Sequence, residues 1–105
     1  NIPVICFPRE IKNYKEFCNI VNPDVISIDY NINPEQILKN INIPIQGGLD
    51  PRILLEDKET VKKHALKYLQ IFKDVPYIFN LGHGLKPETK PEKLKKLINF
   101  VRDYK

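Results

Sequence analysis

His83 is the side chain whose type and spacing are best suited to chemistry. Glycines on both sides, Gly82 and Gly84, leave its imidazole uncrowded on a turn that a ligand can approach. An imidazole there can donate a hydrogen bond, carry a proton or balance a carboxylate near neutral pH. The competing reading is a loop histidine packed locally. His64 sits in a lysine-rich stretch beside an apolar stripe and reads as a boundary side chain. Asp29 and Asp50 have the chemistry of acid–base carboxylates, but each stands where it can cap a turn by accepting backbone N–H groups, and capping is the expected role. Arg9 follows a run that reads as a strand and could meet an anion; a lone loop arginine is expected to be solvated. Ser27 and Cys6 fall inside predicted strands rather than on the strand-to-helix turn a nucleophile needs, so covalent catalysis is not expected. Gly82-x-Gly84 is only a fragment of a phosphate-binding pattern, and neither G-x-G-x-x-G nor the P-loop sequence is present. Cys6 and Cys18 lack C-x-x-C spacing and histidine partners, so no metal site or disulfide framework is expected, and both should be reduced and buried.

The positions of these residues follow from the elements that carry them. Pro3-Val4-Ile5-Cys6-Phe7 is apolar without alternation, as suits a strand buried on both faces. Ile11, Tyr14, Phe17, Cys18 and Val21 recur at helical spacing until Asn22-Pro23 breaks the pattern. Residues 24–29 read as a second strand. Asn33-Pro34 then offers a capping side chain followed by proline at the first helical position, and a short helix runs through Ile37, Leu38 and Ile41. A third strand over 43–46 leads into Gly47-Gly48, where paired glycines permit torsions that other residues resist. Val61, Ala65, Tyr68, Leu69 and Phe72 form one apolar stripe with lysines largely outside it, the strongest helical pattern in the chain. Residues 76–81 give a fourth strand, and Leu94, Leu97, Ile98 and Val101 mark a last helix after Pro91. The order is βαβαβαβα. Such alternation implies a parallel α/β sheet whose functional residues gather at the carboxyl ends of the strands, where His83, Asp29, Asp50 and Arg9 all fall.

Composition narrows the classes. The 105 residues hold 17 Lys+Arg against 13 Asp+Glu, a net charge of +4, with 42% hydrophobic and 29% charged residues. These proportions are those of an ordinary soluble globular chain and exclude disordered and collagen-like classes. No apolar run approaches the ~20 residues of a membrane span, so a soluble, cytoplasmic protein without a membrane partner is expected. The lysines recur on the outer faces of predicted helices rather than clustering with aromatics, so no nucleic-acid partner is expected. The chain contains no Met and begins Asn1-Ile2-Pro3, from which a start within a longer protein is expected.

The strand ends also carry a resemblance. Gln46-Gly47-Gly48-Leu49-Asp50-Pro51 and Ile78-Phe79-Asn80-Leu81-Gly82-His83-Gly84-Leu85, followed by Pro87-Glu88-Thr89 and Pro91-Glu92, closely resemble the carboxyl-terminal part of the uroporphyrinogen decarboxylases, with matching spacing between the blocks. Pro3–Phe7 and Ile28-Asp29-Tyr30 resemble the preceding strands of that family. The resemblance implies the last four βα units, half of a (β/α)8 TIM barrel, with residues 1–105 forming one carboxyl-terminal half-barrel piece of a single domain. It implies decarboxylation of the four acetate arms of uroporphyrinogen to give coproporphyrinogen in haem biosynthesis, with no metal or organic cofactor, by a homodimer that includes the missing amino-terminal part. Of the family's site groups, an aspartate, arginines, a tyrosine, a serine or threonine and a last-strand histidine, only the histidine has a counterpart here, His83, implied to bind substrate. Three positions depart from the family pattern. The loop after the first strand usually holds a glycine but reads Arg9-Glu10-Ile11-Lys12, Tyr30 replaces a common Trp, and Gly48 replaces an Asn.

Two alternatives stand beside this. The corrinoid-dependent methyltransferases of the same fold place a metal-binding cysteine near the last strand's end, where this chain has His83. A free-standing βα signalling module would use Asp29 as a receiver-like acceptor.

Overall fold

The computed structural model describes residues 1–104. Strands and helices alternate along it: β1 (Ile5–Cys6), α1 (Tyr14–Val21), β2 (Val25–Ile28), α2 (Pro34–Asn40), β3 (Ile45–Gly47), α3 (Lys58–Ile71), β4 (Tyr77–Ile78) and α4 (Pro91–Asp103). This is the order read from the sequence, with one addition, a 3-10 turn at Pro51–Leu55. All strand pairs are parallel, in the spatial order β1-β2-β3-β4. β1 and β4 are much shorter than the runs 3–7 and 76–81, because each is an edge strand with a ladder partner on one side only.

Capping chemistry sets the helix boundaries. Asn13 accepts the Glu16 N–H at 2.9 Å, Asn33 accepts the Glu35 N–H at 3.0 Å ahead of Pro34, and Asp57 accepts the Thr60 N–H at 2.8 Å. Asn22 ends α1 in the left-handed region at φ 55°, with Pro23 preventing continuation.

Register decides which face each strand residue joins. Cys6, Ile26, Ile45 and Tyr77 are successive lateral partners, so they share a face, and Ile28 lies two residues further along it. There Ile26, Ile28 and Ile45 are fully buried in one core with Leu54, Val61, Ala65, Tyr68, Phe72 and Leu97. The alternate residues Ile5, Val25, Ser27, Gln46 and Ile78 face the other way, and Ile5 and Ile78 are 49% and 45% exposed. The helices thus cover one face of the sheet. The strand-centre apolar residues therefore do not share one side: Ile26 and Ile45 pack under the helices, Ile78 lies in the opposite phase, and Val4 precedes β1 at the sheet margin.

Two further expectations are corrected. Cys6 and Cys18 are free but only half-buried, since the edge strand β1 and the helix above it lack a covering neighbour on one side. Receiver-like sheets have strand order 2-1-3-4-5, whereas here the order is consecutive, so the Asp29 phosphoacceptor reading loses its fold.

Candidate functional site

The carboxyl ends of the strands are built around the Gly47–Gly48 loop. Both glycines have positive φ, 91° and 107°. A Cβ on Gly47 would lie 3.2 Å from the Ile28 carbonyl and 3.3 Å from that of Leu81, and one on Gly48 would lie 2.6 Å from the Tyr68 ring. Two phenols hold the loop from beneath: Tyr77 donates to the Gly47 carbonyl and Tyr68 to the Gly48 carbonyl, each at 2.8 Å. The rings of Phe72 and Tyr77 stack at 4.5 Å and wedge this support in place. Burial pushes the Tyr68 and Tyr77 hydroxyls above the usual phenol range, helped by the Asp50 charge beside Tyr68 and, for Tyr77, by the repulsion that an ionised Tyr68 would exert, so both remain donors at neutral pH.

Asp29 is buried at the end of β2. One carboxylate oxygen accepts the Tyr30 N–H at 2.8 Å and the other the Glu10 N–H at 3.4 Å, while its own N–H donates to the Tyr14 hydroxyl at 3.1 Å. Its role is therefore the expected turn cap, extended across to the loop after β1. Glu10 in that loop has φ 59°, a torsion that non-glycine residues rarely adopt. Arg9 beside it is exposed, as expected of a solvated loop arginine.

Asp50 caps the 3-10 turn by accepting the Arg52 N–H at 2.9 Å. It also clasps the Arg52 guanidinium: Nε donates to both carboxylate oxygens at 3.0 and 3.1 Å, and Nη2 to Oδ2 at 2.7 Å. The guanidinium carbon lies 5.1 Å from the centre of the Tyr30 ring. Partial burial pushes Asp50 upward, but the hydrogen bonds and charge of Arg52, aided by Lys86, outweigh it and hold the carboxyl below its usual range. Sequence reasoning missed Arg52. The signal was present, because Asp50-Pro51 repeats the cap-then-proline pattern of Asn33-Pro34 and so fixes the direction of the following residue.

β4 leads to His83 through a bridge between Leu49 and Leu81, and the Gly82 N–H donates to the Leu49 carbonyl at 2.7 Å. A Cβ on Gly82 would fall 2.4 Å from the Tyr30 nitrogen, so the β4 end packs directly on the β2 end across β3. His83 itself is exposed on a cleft of about 470 Å³ walled by Phe79, Leu81, Leu94 and Ile98. Its Nδ1 accepts the Gly84 N–H at 2.7 Å, which assigns the proton of the neutral ring to Nε2. His64 lies apart, half-buried on α3. Among the described residues, no group of three or more His, Cys, Asp and Glu side chains is placed to hold a metal ion, and no helix is long and apolar enough to cross a membrane.

The family model described as uroporphyrinogen decarboxylase matches residues 1–104. The chain belongs to the uroporphyrinogen decarboxylase family. Similar relatives include the uroporphyrinogen decarboxylase of Wolbachia sp. subsp. Drosophila simulans (strain wRi), 42% identical over 105 residues. That of Rickettsia felis (strain ATCC VR-1525 / URRWXCal2) is 41% identical over 105 residues. These alignments cover 99% and 98% of this chain but 31% and 30% of the relatives, so the chain spans about a third of their length. A consecutive parallel sheet covered by helices on one face is an α/β arrangement consistent with part of a (β/α)8 barrel. Glu10, with its positive φ, lies in the loop where the resemblance leads to the expectation of a glycine.

Proposed function

We propose that this chain is the carboxyl-terminal part of a uroporphyrinogen decarboxylase, the last four βα units of its (β/α)8 barrel. The complete protein would remove the four acetate carboxyl groups of uroporphyrinogen III to give coproporphyrinogen III in haem biosynthesis, as a cytoplasmic homodimer without metal or organic cofactor. The observation that carries this reading is the family match over residues 1–104.

Decarboxylation beside a pyrrole becomes easier once ring protonation creates an electron sink, and fixed charges that stabilise the cationic ring lower the barrier. The acetate and propionate arms make the substrate a polyanion, so side chains that donate hydrogen bonds or carry positive charge orient it. His83 serves as one of these groups. Its Nδ1 bond to the Gly84 N–H leaves Nε2–H as the donor for a substrate carboxylate, and its exposure at the end of β4 supports that role. The remaining family groups belong to the amino-terminal part. Two edge strands and the exposed Ile5 and Ile78 favour association with that part or with another copy. The test is conversion of uroporphyrinogen by the complete protein and by the 105-residue chain. The complete protein should yield coproporphyrinogen and the chain alone should yield none; failure of the complete protein to convert it overturns the reading.

A further inference from the structure

Arg52 is the arginine whose side chain is built into the strand-end site. It sits on the 3-10 turn after β3, and two partners fix its guanidinium: the Asp50 carboxylate at 2.7–3.1 Å and the Tyr30 ring at 5.1 Å. An arginine has five N–H donors in a planar fork. Nε and one Nη2 hydrogen face Asp50, and among the described residues no other protein acceptor meets the rest. Three N–H groups therefore remain on a side chain that is 60% exposed. Holding a long, flexible side chain in one position in the absence of ligand removes much of the ordering cost that binding would otherwise incur. Tyr30, which carries the guanidinium, also receives Gly82 against its backbone, so the platform for Arg52 is continuous with the turn that bears His83.

We infer that Arg52 is a carboxylate-binding residue, a fixed guanidinium that reads one acidic arm of the substrate, with Asp50 and Tyr30 as its positioning residues. This rests on the proposed tetrapyrrole polycarboxylate substrate. Arginine suits the task because its free edge can meet a carboxylate with two parallel N–H bonds, a geometry lysine cannot reproduce. The Asp50 carboxylate offsets part of the positive charge. The subsite accordingly orients an arm and adds selectivity without dominating affinity.

The test uses the complete protein with Arg52→Gln, Arg52→Lys and Asp50→Asn, together with Lys63→Gln, which removes the same charge from the exposed outer surface of α3. Two readouts are needed: steady-state turnover of uroporphyrinogen, and calorimetric binding of the oxidised porphyrin octacarboxylate, which requires no catalysis. Arg52→Gln should raise KM and weaken porphyrin binding by about five- to twentyfold, with kcat and melting temperature held. Arg52→Lys should recover only part of the loss, Asp50→Asn should show a smaller KM increase, and Lys63→Gln should match wild type. A wild-type protein that turns over substrate while Arg52→Gln matches Lys63→Gln overturns this inference alone. A wild-type protein that neither turns over uroporphyrinogen nor binds the porphyrin overturns the proposed function and this inference together.

Discussion

The two glycines beside His83 look equivalent in the sequence, and the structure predicts opposite outcomes for them. A Cβ added at Gly82 would lie 2.4 Å from the Tyr30 nitrogen and 2.8 Å from its Cα and Cβ, whereas one added at Gly84 meets nothing within 4 Å. Neither glycine has positive φ, so backbone strain does not confuse the comparison. The clash at residue 82 is mainly with backbone, which no rotamer change relieves, and overpacking of this kind costs about 1–3 kcal/mol. Replacing glycine by alanine also restricts the unfolded chain, which returns roughly 0.4–1 kcal/mol at either site. Gly82→Ala should therefore destabilise by about 1–2 kcal/mol, lowering the melting temperature by roughly 4–15 °C for a domain of this size. Gly84→Ala should leave it unchanged or raise it by a few degrees. Thermal and urea melts followed by circular dichroism measure both. Equal melting temperatures, or a larger loss in Gly84→Ala, would refute the packing of Gly82 on Tyr30.

Three other outcomes follow from the same geometry. Glu10→Gly should stabilise by about 0.5–1 kcal/mol, because relief of a left-handed torsion worth roughly 1–2 kcal/mol exceeds the entropy glycine adds to the unfolded chain; a lower urea midpoint would contradict this. Ile26→Ala should cost about 2–5 kcal/mol and Ile78→Ala under about 1 kcal/mol in the 105-residue chain, since the first is fully buried and the second 45% exposed; similar losses would contradict the register. The Tyr68 and Tyr77 hydroxyls have folded pKa values raised chiefly by burial, so their contribution is complete below pH ~10 and is lost as pH rises through the higher folded values. Urea midpoints should accordingly hold up to about pH 9.5 and fall beyond it, with a shallower fall in Tyr77→Phe; an unchanged slope in that variant would remove Tyr77 from the account.

Element order was legible because apolar runs, helical spacing and proline punctuation each point one way along this chain. Asn33-Pro34, Asn22-Pro23 and the Gly47-Gly48 pair act locally, and each behaves as read. Face assignment was not legible in the same way. Ile26, Ile45 and Ile78 are the same residue type in short strand-like runs, and the lateral register separates the two buried ones from the exposed one. Asp29 and Asp50 read correctly as caps, but their reach did not: the Asp29 bond to Glu10 depends on where a neighbouring loop falls, whereas the Asp50 clasp on Arg52, two residues on in the same turn, is a local contact that the cap-then-proline pattern could have revealed. The need for glycine at residue 82 arises from Tyr30, 52 residues away in the chain, and no local pattern encodes it.

The central claim is tested most directly by steady-state kinetics of uroporphyrinogen decarboxylation on His83→Ala and His64→Ala in the complete protein, with thermal melts of both. His83 is exposed at the end of β4 with Nε2–H free, and His64 lies apart on α3. Loss of a charge-assisted hydrogen bond to a substrate carboxylate is worth roughly 1.5–3 kcal/mol, so His83→Ala should lose about ten- to a hundredfold in kcat/KM at wild-type stability. His64→Ala should retain full efficiency. Equal efficiency in the two variants, or a large stability loss in His83→Ala, would contradict the account and return His83 to a locally packed loop histidine.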